Sequence, residues 1–155
     1  MSELEKTIVQ IIDKILFHVG VIANVDVFKD ASEENSFQVA LSGSELGMII
    51  GYHGEGLSAL QTISSLILAK KTGSWYHLSV DVNGYKKERE MKVREMVLKA
   101  MDRVRFSQRP YELPPMMAYE RRLAHMEASK TSDVESESVG EGFNRRVVIK
   151  PKAAQ

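Results

Sequence analysis

The sequence predicts an α+β fold made of two modules, residues 1–83 and residues 84–155. Segments whose apolar residues recur every three or four positions alternate with segments whose apolar residues recur every second position. In residues 1–83 these segments follow the order helix, strand, strand, helix, helix, strand. Gly84 then interrupts the pattern, and a long, highly charged helix follows it.

The first module begins with an amphipathic helix from Glu3 to Val19, which Gly20 ends. Two strands follow, separated by a polar turn. The first strand is expected from about Val21 to Lys29. The second is expected where apolar residues alternate with polar ones, at Phe37, Val39 and Leu41.

Two further helices and a strand complete this module. The short helix runs from Glu45 to Ile50, and the longer one runs from near Glu55 to Gly73, where two lysines suit the helix C-terminus. The third strand is expected over His77–Asn83. The inner side of the longer helix is expected to carry five aliphatic residues, Leu57, Leu60, Ile63, Leu66 and Ile67.

The second module begins with a linking helix over about residues 85–106. Prolines then bracket an extended segment between Arg109 and Pro115, because proline disfavours helix in the residue before it. A helix from Pro115 to about Ser129 and two strands, Val134–Val139 and Arg145–Lys150, complete the module. The core side of that helix is expected to be an apolar stripe of Met116, Tyr119, Leu123 and Met126.

Composition is typical of a globular cytoplasmic protein. Hydrophobic residues make up 43% of the chain, and the absence of cysteine excludes disulfides and thiolate chemistry. The N-terminus is acidic where a secretory signal would be basic, and every apolar run is shorter than the ~20 residues that span a bilayer. Because no histidine pair has metal-ligand spacing and no nucleotide-binding loop occurs, we expect no metal, cofactor or small-molecule substrate.

The zero net charge hides an asymmetry between the modules. Residues 1–83 contain five lysines and ten acidic residues, whereas residues 84–155 contain sixteen basic and eleven acidic residues. This difference favours a polyanionic partner for the second module. The alternative is that two modules of different composition simply carry different charge.

The first candidate binding feature is a turn with two glycines between the predicted helices. It consists of Ile49, Ile50, Gly51, Tyr52, His53 and Gly54. Glycine lets a backbone turn tightly and come close to another backbone, and the following helix offers free N–H groups to an anion. An ordinary helix-to-helix turn would need the same glycines. Tyr52 can stack on a base, but neither it nor His53 supplies a strong cation at neutral pH.

Together with the element order, this turn resembles the GxxG loop of the type II KH fold, which clamps a nucleic-acid backbone. The resemblance implies that residues 1–83 form a KH-like domain. It also implies an aliphatic groove that receives bases beside the loop, at Leu46, Ile49, Ile50 and Leu57.

The second candidate feature is an arginine and a histidine four positions apart on the predicted helix. Arg121 and His125 then project from one face, where together they could grip a phosphate. The alternative is that they only decorate an exposed helix. The spacing and its context resemble the small α/β domain named for its Arg-x-x-x-His motif, which implies single-stranded nucleic acid as ligand. Further basic candidates in this module are Arg103, Arg105, Arg109, Arg122, Arg145 and Arg146.

Both resemblances in this order make the chain similar to the bacterial Jag family (the SpoIIIJ-associated proteins). The resemblance implies RNA binding linked to the cell envelope or division, in some members with a small separate KH protein. Our first hypothesis is therefore a non-enzymatic protein that binds single-stranded RNA, with DNA as the open alternative. A second hypothesis is a protein-interaction adaptor whose KH loop has lost its nucleic-acid grip, as the uncharged Tyr52-His53 pair and the acidic first module suggest. An enzyme has little support, because no carboxylate cluster with metal spacing is visible.

Overall fold

The computed structural model describes residues 1–153 and shows an α+β protein. Two compact units occur, one spanning Met1–Lys86 and the other beginning at Lys87. The boundary that the sequence predicts after residue 83 stays a prediction. Among residues 1–153, no helix is long and apolar enough to cross a membrane.

The first unit has the predicted order of elements. They are α1 (Glu3–Val19), β1 (Asn24–Lys29), β2 (Ser36–Ser42), α2 (Gly47–Ile50), a 3-10 turn (Tyr52–Gly54), α3 (Glu55–Thr72) and β3 (His77–Val82). Gly20 ends α1 in the left-handed conformation, with φ of 79°. Strand β1 begins later than predicted, because the backbone N–H of Val21 still donates to Leu16 at the end of α1, with an N···O distance of 3.0 Å.

The sheet of the first unit has the order β1-β2-β3, with β1 antiparallel and β3 parallel to the central β2. Its alternating apolar residues, such as Val39 and Val80, join α1 and α3 in one core on one face of the sheet. Strand β3 forms an edge of the sheet. There the backbone N–H of Val80 donates to Oε1 of Gln61 on α3 at 3.1 Å.

The inner side of α3 differs from the prediction. Ile63 and Leu66 are about half exposed, whereas two serines at neighbouring positions are buried. The buried residues of this helix are Leu57, Leu60, Ser64, Ser65 and Leu68. Small side chains let a helix lie close to its neighbours, so serines occupy positions where the hydrophobic pattern alone favours leucine or isoleucine.

The second unit packs two helices with a three-stranded antiparallel sheet of order β4-β6-β5. Its elements are α4 (Tyr85–Ser107, which begins in the first unit), β4 (Tyr111–Glu112), α5 (Ala118–Ala128), β5 (Val134–Val139), a 3-10 turn (Gly142–Asn144) and β6 (Arg146–Pro151). The segment predicted as extended contains β4, and both closing strands lie within one residue of their predicted bounds.

The apolar stripe predicted for the core side of α5 is wrong for two of its members. Tyr119 and Met126 are exposed. The buried positions of this helix are Glu120, Ala124 and Ala128. A carboxylate can occupy this face because Nε of Arg89 on α4 pairs with Oε1 of Glu120, so the buried charge is compensated.

Candidate nucleic-acid interface

The predicted GxxG turn lies between α2 and α3 with an unusual backbone. Gly51 has φ of 69° and Gly54 has φ of 88°, and His53 has φ of 52° although it carries a side chain. A positive φ costs little in glycine and more in histidine. The turn is therefore held in a defined, slightly strained shape by its surroundings.

The space beside both glycines is used by the protein itself. A Cβ on Gly51 would lie 2.7 Å from the backbone nitrogen of Gly56, and a Cβ on Gly54 would lie 3.2 Å from Cε1 of Tyr85. Both glycines are thus required for local packing as well as for φ. An ordinary turn between two helices, the alternative stated in the sequence analysis, needs the same two glycines without any nucleic-acid ligand.

The two side chains of the turn form a small aromatic stack. The rings of Tyr52 and His53 lie 3.9 Å apart with an angle of 21° between their planes. The Tyr52 side chain is 62% exposed, so one face of this stack is available to a base. Neither ring brings the permanent positive charge that a phosphate requires.

The predicted base groove is mostly buried. Leu46, Ile49 and Leu57 belong to the core of the first unit, which removes their side chains from contact with a ligand in this conformation. Ile50 is half-buried, and Met48, which sequence reasoning did not single out, is exposed. Of these apolar residues, Ile50 and Met48 keep accessible surface, and the binding role of this region stays a prediction.

The Arg-x-x-x-His pair lies on α5 as predicted, but the ring nitrogens of the histidine are hydrogen-bonded to other residues of the protein. Nδ1 of His125 lies 2.7 Å from the hydroxyl of Ser136, and Nε2 lies 2.8 Å from the hydroxyl of Ser138, both on β5. The expectation that His125 presents its ring nitrogens outward is wrong in this respect, because β5 passes directly beside α5. A phosphate could reach either nitrogen only by displacing a serine.

Burial lowers the pKa of His125, and the nearby Arg121 cation lowers it further. The neutral ring, with one donor and one acceptor, matches a pair of hydroxyls that can each donate or accept. His125 therefore links α5 to β5 through both of its ring nitrogens.

Arg121 and Arg145 each share a hydrogen bond with the main chain of Met116. Nη1 of Arg121 donates to the carbonyl oxygen of Met116 at 2.8 Å, and the N–H of Met116 donates to the carbonyl oxygen of Arg145 at 3.1 Å. Nη1 of Arg145 donates to the carbonyl oxygen of Gly140 at 2.7 Å. Each guanidinium has five N–H donors, so both retain donors and their full charge. Arg122 follows Arg121 on α5 and is exposed. We call Arg121, Arg122 and Arg145 the arginine corner.

Two of the other predicted arginines are neutralised by carboxylates. Arg105 pairs with Asp102 and with Asp133, which lowers the pKa of Asp133 to about 2. Arg146 lies 3.4 Å from Oε2 of Glu112, as an ion pair without good hydrogen-bond geometry. Sequence reasoning named Arg105 as a basic candidate and did not anticipate this pairing, which forms because the chain returns Asp133 to the end of α4.

Arg103 and Arg109 stay available as cations. The guanidinium carbon of Arg103 lies 4.6 Å from the centre of the Tyr111 ring, which is a cation–π contact. Arg103 also borders a surface pocket, which is lined by Met96, Lys99, Ala100, Arg103, Tyr111, Leu113 and Pro114. Arg109 is exposed after α4.

Sequence reasoning missed three residues that help to fix α5, the helix that carries Arg121: Ser136, Ser138 and Glu120. Ser136 and Ser138 alternate along β5, so both face α5. Glu120 lies one residue before Arg121, and its Oε2 accepts a hydrogen bond from the N–H of Met117 at 2.9 Å. A glutamate in the first turn of a helix is a detectable capping signal; the serines give no comparable signal. In the part of the chain that the structure describes, no three metal-ligating side chains cluster.

Comparison with known proteins agrees with this architecture. Residues 5–80 match the family described as KhpA/KhpB, KH domain, and residues 91–151 match the family of the domain named for its Arg-x-x-x-His motif. We call this second domain the Arg-x-x-x-His domain. The chain is thus a protein with a KH domain followed by an Arg-x-x-x-His domain, two domain types of nucleic-acid-binding proteins.

Similar curated proteins give a more specific class. The chain is 29% identical over 72% of its length to RNA-binding protein KhpB of Bacillus subtilis, and 30% identical over 83% of its length to RNA-binding protein KhpB of Clostridium symbiosum. It covers 55% and 58% of those two proteins, and 40% of the Streptococcus pneumoniae KhpB, to which it is 30% identical. The chain is a KhpB-like protein of the Jag type, and it spans about half the length of these relatives.

Proposed function

We propose that this chain binds single-stranded RNA and that the arginine corner of the Arg-x-x-x-His domain supplies the main grip on the phosphates. The observation that carries the proposal is that Arg121 and Arg145 are fixed by bonds to main-chain carbonyls and not by carboxylates. Arg89, Arg105 and Arg146 face carboxylates. Within residues 1–153, no carboxylate lies within ion-pair distance of the arginine corner, which consists of Arg121, Arg122 and Arg145. The names of the relatives, RNA-binding protein KhpB, support the choice of RNA.

The corner is suited to a flexible polyanion. Arg121 and Arg145 are preorganised by bonds to main-chain carbonyls, so little conformational entropy is lost when they bind an anion. Because those carbonyls carry no net charge, both cations keep their attraction for phosphate. Three phosphate contacts predict a slope of about −2 for the logarithm of the binding constant against the logarithm of salt concentration.

The test is a salt titration of the full chain with a labelled single-stranded oligoribonucleotide. Arg121→Gln is expected to weaken binding and to reduce the magnitude of the salt slope by about 0.7, which is the loss of one phosphate contact. Arg105→Gln is the matched control. It removes the same charge from the same unit, but from a guanidinium already paired with Asp102 and Asp133. Equal effects of the two variants, or no binding by the wild type at low salt, would refute the assignment.

We propose a secondary RNA contact at the Tyr52–His53 stack of the KH domain. The exposed ring of Tyr52 supports stacking on a base, and the absence of a cation between the glycines points to a weak contact. Tyr52→Asp combined with His53→Asp brings two carboxylates to the turn. Weaker RNA binding by this variant is expected, and unchanged affinity would leave the KH turn as a candidate protein-binding surface.

Three wider expectations rest on the resemblance and the relatives. A cytoplasmic location fits RNA as the ligand. The description of the matched KH family, which covers both KhpA and KhpB, supports a small separate KH protein as a further partner. A role in the envelope or in division would follow from the RNAs bound, which crosslinking and sequencing of bound RNA would identify.

A further inference from the structure

Phe143 is a large apolar residue left in solvent, two positions before Arg145 of the arginine corner. Its side chain is 78% exposed, at the centre of the 3-10 turn Gly142–Asn144 that joins β5 to β6. The α5 side of the sheet has its own core, to which Val147 and Ile149 of the following strand belong. Phe143 contributes nothing to that core, so its presence at the turn calls for another explanation.

The turn around Phe143 is rigid. The N–H of Asn144 donates to Glu141 at 3.1 Å, the N–H of Arg145 donates to Gly142 at 3.3 Å, and the Arg145 guanidinium closes the loop on the carbonyl of Gly140. Gly140 has φ of 84°, and a Cβ there would lie 2.8 Å from the carbonyl oxygen of Asn144. These bonds fix the backbone of the loop that presents the phenyl ring to solvent.

Phe143 is also close in the chain to Arg145, a member of the arginine corner. Phe143 precedes Arg145 by two residues, and Met116 bridges Arg145 to Arg121 through the two hydrogen bonds already described. A flat apolar face beside fixed guanidinium groups is the combination with which proteins hold single-stranded nucleic acid, because the ring stacks on a base while the cations neutralise the backbone.

We propose that the Phe143 ring is a stacking platform for a base of the bound strand, next to the phosphates held by Arg121 and Arg145. The inference rests on the proposed RNA-binding function and adds a contact to the bases themselves. Every base has an aromatic face, so the platform increases affinity without selecting a sequence. It would make the Arg-x-x-x-His domain prefer strands with unpaired, accessible bases over a duplex whose bases are already stacked.

The test compares two probes of equal length and charge, a single-stranded oligouridylate and an abasic ribose-phosphate oligomer, each titrated with the full chain. Phe143→Ala is expected to weaken oligouridylate binding by about 5- to 150-fold, the range for the loss of one stacked base, and to leave abasic binding and the salt slope unchanged. Phe143→Trp should retain the affinity of the wild type. Phe17→Ala is the matched control, because the Phe17 side chain is 79% exposed on α1, outside the Arg-x-x-x-His domain.

The outcomes separate this inference from the function on which it rests. If Arg121→Gln weakens binding and Phe143→Ala does not, the RNA grip stands and the stacking platform is refuted. If Phe143→Ala weakens the binding of both probes equally, the ring affects binding through the shape of the loop and its cations, and stacking on a base is again refuted. If the wild type binds neither probe at low salt, the proposed function fails as well.

Discussion

Replacing Glu120 by glutamine tests whether a buried ion pair supports the arginine corner. The Glu120 side chain is fully buried, and it accepts from Nε of Arg89 and from the N–H of Met117. Glutamine keeps the size of the side chain and an oxygen acceptor but removes the negative charge. The Arg89 side chain, only 16% exposed, would then keep its charge beside a neutral amide.

The expected loss in the free energy of unfolding of Glu120→Gln lies at the lower end of the range for buried ion pairs. Removing one partner of a buried ion pair costs about 3–5 kcal/mol, and Arg89 has an interaction besides the one with Glu120. We therefore expect the free energy of unfolding to fall by about 3 kcal/mol. For a domain of this size each kcal/mol lowers the melting temperature by roughly 4–8 °C, which gives a shift of about 12–24 °C.

Thermal and urea unfolding followed by far-ultraviolet circular dichroism would measure the loss. Glu95→Gln is the matched control, because Glu95 pairs with Lys99 on the same helix α4 with both side chains well exposed. Its unfolding curve is expected to superimpose on that of the wild type. A free energy of unfolding for Glu120→Gln within about 0.5 kcal/mol of the wild type, the range of ordinary surface changes, would show that this carboxylate contributes little to stability and would refute the reasoning.

Two further predictions concern the KH turn and the histidine. Gly56→Ala should destabilise the first unit, because its Cβ would overlap the carbonyl oxygen of Ile49. Gly47→Ala has open space at the Cβ and should leave the stability of this unit unchanged. Urea unfolding monitored by Trp75 fluorescence would compare the two variants. The folded-state pKa of His125 lies below 6.5, so the unfolded chain takes up the proton first as the pH falls. The stability that the neutral ring contributes is present above pH 6.5 and is lost as the pH falls through the folded-state pKa. His125→Gln should flatten this dependence as the pH falls below about 6.5, and an unchanged slope of unfolding free energy against pH would contradict it.

Much of the fold could be predicted because local patterns determine it. The helical spacing of α1, its terminal Gly20 and the alternation through Phe37, Val39 and Leu41 are each readable within a few residues. These local signals agree with the tertiary structure, and the order of elements in the first unit is confirmed. The start of β1 was predicted too early, because Val21 continues the hydrogen bonding of α1.

The details of the candidate site depend on contacts between distant residues. Burial of Glu120 depends on Arg89, which lies on a different helix, and hydrophobic spacing alone assigns a glutamate to the surface. The orientation of His125 depends on the register that brings Ser136 and Ser138 beside α5. Sequence spacing could identify the Arg121–His125 pair, but it could not show that both ring nitrogens of His125 are bonded to serines while Arg121 keeps its charge available.

The hydrogen bond between Gln61 and Val80 has a consequence for association between chains. An edge strand with unused backbone donors can pair with a strand of another molecule, and such pairing leads to aggregation or exchange of segments. In β3 the N–H of Val80 is occupied by an amide from the protein's own helix. A foreign strand that approached this edge would have to displace Gln61 first. Gln61→Ala should therefore expose a donor on β3 and make it the preferred place for unwanted strand addition.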